Sequence, residues 1–147
     1  MKAYINEVDW SDEGDIFFFS LSGEKRLAAI KELLLRCEKY DLFPEEVEMW
    51  WGTNEAFNFS ADDLIEFIDD AVDITPEELS VFKKFAVSGF DIYENIEWEI
   101  KNCLMIHYDR VNEDLTQEIL DDLKPLIIQI FGLKEFDKIQ NCLNNEV

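Results

Sequence analysis

Residues 2–21 read KAYINEVDWSDEGDIFFFSL, and the segment that follows, Ser22-Gly23-Glu24-Lys25-Arg26-Leu27, changes period. Lys2–Val8 mixes β-branched and aromatic residues, Asp15–Leu21 carries Phe17, Phe18 and Phe19, and the polar stretch Asp9–Gly14 between them ends in a glycine able to take a positive φ. This is the pattern of a β-hairpin. Beyond Ser22 and Gly23 the apolar residues Leu27, Ile30, Leu34 and Cys37 recur at helical spacing, predicting a helix that ends near Tyr40, ahead of Pro44. A hairpin running into an amphipathic helix sets the fold class as α+β.

Further along, Glu45–Trp51 alternates Val47, Met49 and Trp51 with Glu46, Glu48 and Trp50. A third strand over 46–51, pairing with the hairpin, is the preferred reading; a short helix after Pro44 is the alternative. Ser60 can cap a helix running to about Val72, and Thr75-Pro76-Glu77-Glu78 is a capping box opening another that should end near Gly89. Residues 91–108 fit a helix through Ile92, Ile96, Ile100, Cys103, Leu104 and His107, although Ile96–Ile100 also alternates like a strand; length favours the helix. Asn112 is expected to cap a helix with Leu115, Ile119, Leu123 and Leu126 inward, kinked or divided at Pro125 and closed by Gly132. Lys134–Leu143 reads as a last short helix. With no repeat or linker, residues 1–147 read as a single domain, an N-terminal hairpin packed with five to six helices and helix-dominated.

Composition narrows function. The chain is 48% hydrophobic and 14% aromatic, which excludes an acidic disordered tail, yet its formal net charge is −21. The excess is local: residues 40–100 contain seventeen acids against Lys83 and Lys84. Between Lys39 and Lys83 there are thirteen carboxylates and no base. Such a field repels nucleic acid and anionic membranes, so the expected partner is a basic protein. Solubility alone is the plainer reading of the same charge.

At 100° per residue, Asp62, Glu66, Asp69 and Asp73 fall within about 60° of one another, with Asp63 and Asp70 beside them, opposite Leu64, Ile65, Phe67, Ile68, Ala71 and Val72. Like charges at this spacing oppose the helix, and Asp69, Asp70 and Asp73 sit toward its negative end. A partner-binding face on these six, joined by Glu48, Trp50 and Glu55, accounts for that cost; a solvated helix compensated from elsewhere is the alternative. One of Trp50 and Trp51 is expected to be exposed among the carboxylates as an interface anchor, with both rings packed internally as the alternative.

Catalytic, metal and cofactor chemistry find little footing. His107 is the only histidine, and Cys37, Cys103 and Cys142 are far apart, as reduced cytoplasmic thiols would be. Cys103 and His107, four apart, suit a core stripe better than a nucleophilic pair. No glycine-rich phosphate loop is present. Asp9, Ser11, Glu13 and Gly14 match the start of a calcium loop, but Ser20 stands where the bidentate Glu belongs and both flanks read as strands. There is no apolar leader and no run long enough to span a bilayer, so the expected location is the cytoplasm.

In size, charge and expected location the chain resembles the small acidic bacterial immunity and nuclease-inhibitor proteins, a likeness of class without a diagnostic motif. The opening strand Lys2-Ala3-Tyr4-Ile5-Asn6, with Trp50-Trp51-Gly52 ahead of an acidic helix, is similar to the barstar family; the intervening hairpin and the sequence after Asn54 depart from that pattern. The resemblance implies a monomer or weak dimer that occludes the cationic cleft of a nucleic-acid-cleaving toxin. A secretion chaperone acting as a homodimer is the competing expectation.

Overall fold

A computed structural model describes residues 2–10, 14–50, 56–78, 80, 92–105 and 110–145. The fold is α+β. Strands β1 (Lys2–Trp10) and β2 (Gly14–Ser22) form the expected antiparallel hairpin, in register from Lys2↔Ser22 to Trp10↔Gly14. Asp9 and Gly14 both lie within these strands, where a calcium loop would need helical flanks.

Helix α1 (Glu24–Lys39) follows and ends where expected, at Tyr40. Its terminus is a Schellman turn. Leu42 N–H donates to the Cys37 carbonyl (2.8 Å) and Asp41 N–H to that of Glu38 (3.1 Å), with Asp41 at φ 56°. Asp tolerates this left-handed position better than most residues other than Gly. Leu42, just beyond, is buried and seals the turn.

Strand β3 (Val47–Trp50) confirms the alternation, with Val47 and Met49 buried and Glu48 exposed. It does not join the hairpin. Its partner is β4 (Ala56–Phe59), in a separate two-stranded sheet with Val47↔Phe59 and Trp50↔Ala56. The third strand of the hairpin sheet is instead β5 (Val72–Asp73), which lies against the start of β1 through Lys2↔Asp73 and Ala3↔Val72, giving the order β2-β1-β5. Between β4 and β5 runs α2 (Ala61–Asp69), and the Thr75 cap leads into helical residues at 76–78 and 80. The expected end near Gly89, Trp51-Gly52, Glu55 and His107 lie outside the described residues.

Helix α3 (Ile92–Leu104) resolves the helix-or-strand ambiguity in favour of helix. Ile92, Ile96, Ile100, Cys103 and Leu104 are all buried. Helix α4 (Gln117–Phe131) is capped by Thr116, whose Oγ1 accepts the Ile119 N–H (3.2 Å), and not by Asn112. Asn112 is occupied elsewhere: its Nδ2 donates to the carbonyls of Cys103 (2.9 Å) and Leu42 (3.3 Å), tying the end of α3 to the turn after α1. The helix therefore starts later, and its fully buried residues are Leu120, Leu123 and Ile127, with Ile119 and Leu126 only half-buried.

Pro125 does not divide α4. Its missing N–H leaves a gap in the hydrogen-bond ladder, and beside that gap Arg36 Nη1 donates to the Asp122 carbonyl (2.9 Å). Gly132, at φ 95°, closes α4, and α5 (Leu133–Asn145) packs back on it. One buried cluster unites α1, α3, α4 and α5 with Val47 and Met49 from β3 and Leu64 and Ile68 from α2. No helix among the described residues is long and apolar enough to cross a membrane.

Candidate functional site

The carboxylate-rich segment after α1 has a more varied construction than a single helical stripe. Glu55 lies outside the described residues; the other twelve acids between Lys39 and Lys83 are all exposed. Helix α2 contributes Asp62, Asp63, Glu66 and Asp69, with Asp70 as its C-cap. Its apolar side packs as expected through Leu64 and Ile68, supported by half-buried Ile65, Phe67 and Ala71.

Asp73 does not share this face. The helix ends at Asp69, and Val72 and Asp73 form β5, so the six-carboxylate helical face is corrected to five residues plus a strand acid. Val72, expected inward, is 51% exposed. The physical reason is a competition at the helix end. Adding Asp73 to α2 would place a further negative charge at the negative end of the dipole. Leaving the helix lets β-branched Val72 enter a strand and brings Asp73 Oδ1 to 3.1 Å from Lys2 Nζ.

Two other acids have local roles. Asp63 is half of a capping box: Ser60 N–H donates to Asp63 Oδ2 (2.9 Å), and Asp63 N–H to Ser60 Oγ (3.2 Å). Asp69, misplaced with respect to the dipole, meets Lys31 Nζ of α1 at 2.6 Å. At that position the alternative reading, compensation from elsewhere in the fold, holds, because the relieving base comes from a neighbouring element. Among the described residues, Asp69 and Asp73 are the acids of this segment that reach a base within 4 Å. Asp62, Glu66 and Asp70 on α2, with Glu48 on β3, are exposed carboxylates without one among the described residues. Trp50 is the last residue of β3, opposite Ala56, which places it on the same short sheet as Glu48.

A further acid escaped the sequence reading. Glu99 of α3, together with Asp41, Asn102 and Asn112, lines a depression of about 280 Å³ above Cys103. Burial raises the Glu99 carboxyl above the usual carboxylate range. Cys103 itself is held well above the ordinary thiol range by its hydrogen-bond contact with Cys37 and by burial, and its Sγ donates to the Ile100 carbonyl (2.9 Å). A thiol held protonated in this way is a poor nucleophile. Among the described residues no group of acids, cysteines or histidine is arranged to hold a metal ion.

Among the described residues, this segment thus presents an exposed acidic surface in which two of twelve carboxylates reach a base. No protein-family model, no curated protein and no solved structure matches this chain.

Proposed function

We propose that the protein is an acidic binding protein that neutralises a basic protein partner, as an immunity protein does for a nucleic-acid-cleaving toxin, by occluding its cationic cleft. The observation that carries this reading is the segment from Asp41 to Glu78, in which twelve described carboxylates are exposed and ten have no base within reach among the described residues. An unpaired, exposed acidic surface on a well-packed domain accelerates encounter with a positive partner and competes with phosphate for the same cations.

The test is co-expression with the product of the neighbouring gene, followed by co-purification and a nuclease assay. The expected outcome is a complex in which cleavage is suppressed and whose association rate falls steeply with salt. Reversing Asp62, Glu66 and Asp70 together to Lys should abolish suppression while the variant stays folded. Undiminished suppression would reject the acidic surface. A stable homodimer that forms without a partner and depends on exposed apolar residues would favour the chaperone reading instead.

A further inference from the structure

On helix α3, Glu99 comes just before Asn102 and Cys103 by one helical turn, so these three share one flank beside the buried Ile100 and Leu104. Facing that flank is the turn after α1. The Leu42 and Phe43 N–H groups on the Cys37 carbonyl (2.8 and 3.3 Å) fix it, with Asp41 at φ 56°. Asn112 clamps turn and helix together through the carbonyls of Cys103 and Leu42, and its Oδ1 accepts the Asp114 N–H (2.9 Å). The depression of about 280 Å³ between them is thus shaped before anything enters it.

Its lining is amphipathic. Phe43 and Pro44 supply apolar wall, while Glu99, Asp41 and Asn102 supply oxygen acceptors. Among the described lining residues there are two acids and no base. Neither carboxylate makes an ion pair or hydrogen bond among the described residues. Glu99 is half-buried, and the burial that raises its carboxyl removes water without supplying a partner. A long cationic side chain matches both halves of this lining, with an apolar stem and a charged head. A calcium ion would need about six to eight oxygen ligands, and no group of acids, cysteines or histidine among the described residues is arranged to hold a metal.

We propose that this depression receives one long cationic side chain, lysine or arginine, of a basic protein partner, with its charge against Glu99 and Asp41 and its methylenes along Phe43 and Pro44. The inference rests on the reading of the protein as a binder of basic proteins. It extends the contact from Asp41, the first acid of the carboxylate-rich segment, onto α3. The size agrees: small-molecule sites occupy roughly 300–1,000 Å³, and this depression suits a single side chain. Glu99 then acts in opposite directions, against the stability of the free protein and in favour of the complex.

The test titrates the full chain at low salt with short, end-blocked oligoarginine and oligolysine peptides, with a neutral peptide of equal length, and with spermidine. In proton–nitrogen correlation spectra, the Asn102 backbone and carboxamide signals report the depression, and the amides of Asp62, Glu66 and Asp70 report α2. The expected result is a shift of the Asn102 signals with the cationic peptides and none with the neutral one. Glu99→Gln should weaken that local binding about ten-fold while raising thermal stability at neutral pH. Asp41→Asn, which can keep the left-handed turn, should also weaken it. Unchanged local binding in Glu99→Gln, with the α2 shifts lost in the Asp62, Glu66, Asp70 triple reversal, would overturn the anchor and leave the basic-partner reading intact. No shift at either place with either cationic peptide would overturn both. Equal Asn102 shifts with the neutral peptide would overturn the anchor in favour of an apolar groove. Tighter local binding of spermidine than of either peptide would overturn it in favour of a small-amine site.

Discussion

Helices α1 and α2 pack against each other, yet they carry opposite kinds of surface. Helix α1 has Lys25, Arg26, Lys31, Arg36 and Lys39, whereas α2 has no base at all. Three of these five are directed sideways onto other elements: Arg26 to Glu97 of α3, Lys31 to Asp69 of α2, and Arg36 to Asp122 of α4. Each joins α1 to a neighbour. With thirteen bases in the chain against thirty-four acids, cations used as cross-links are unavailable to balance the outer face of α2. Among the described residues, the acidic surface is therefore what remains after the core helices have been tied together.

The comparison breaks most visibly in the core. Leu33 on α1 and Leu64 on α2 are both fully buried. Truncation of either to Ala should cost about 2–5 kcal/mol in urea or guanidinium denaturation. The smaller loss is expected at Leu64, because a nine-residue helix at the rim can settle into the void more easily than a sixteen-residue central one.

The two adjacent acids at the end of α2 give a sharper contrast, because the expected signs differ. Asp70→Asn removes a charge that faces the negative end of the helix without a base among the described residues, and should stabilise by about 0.3–1 kcal/mol at low salt. Asp69→Asn also breaks the pair with Lys31. It should be neutral or destabilising by less than about 1 kcal/mol, since the pair is solvent-exposed. Stabilisation of equal size in both variants would show that Lys31 does no compensating.

The smallest effect concerns Glu99, which α1 does not reach although it reaches Glu97 two residues earlier. Burial raises the Glu99 carboxyl in the folded state, so the folded protein binds that proton more tightly than the unfolded chain. The resulting stability is present below the unfolded carboxylate range and is lost as pH rises through the raised folded value. Glu99→Gln should therefore be more stable than the unaltered protein at neutral pH and converge with it under mildly acidic conditions. Thermal melts across that range would show the convergence; parallel curves would mean that Glu99 is well solvated.

Much of the fold could be read in the sequence because its signals were local. The hairpin came from two runs rich in β-branched and aromatic residues around a polar turn, α1 from a clean apolar period ending before Pro44, and the α4 terminus from Gly132. The departures are long-range. Nothing within Glu45–Trp51 specifies whether its strand joins the hairpin or Ala56–Phe59, because pairing depends on which edge is near. The helical phase of Val72 and Asp73 was formally correct, but a strand partner seventy residues earlier in the chain outcompeted it. Asn112 had the residue type and position of a cap, and contacts with Leu42 and Cys103 claimed it first. For the candidate site, the segment and its exposure were legible; Lys31 and Lys2 as counter-ions were not, since ion pairs between distant elements leave no local trace. Glu99 was within reach: once 92–104 is read as a helix, its phase places that carboxylate on the same flank as Cys103.

The two-residue strand β5 carries a consequence for the order of events in folding. Its pairing joins Ala3 to Val72 and Lys2 to Asp73, enclosing β2, α1, β3, β4 and α2 in a loop of about seventy residues. Closing so long a loop for so few hydrogen bonds is favourable only after the enclosed elements have condensed. The β1–β5 pairing is thus expected to latch after the β1–β2 hairpin has formed and to open before it, so that amide exchange at Val72 should run ahead of exchange in α1. A partner that seats across α2 and β5 would hold that latch shut, linking capture of the partner to the protection of the chain's own beginning.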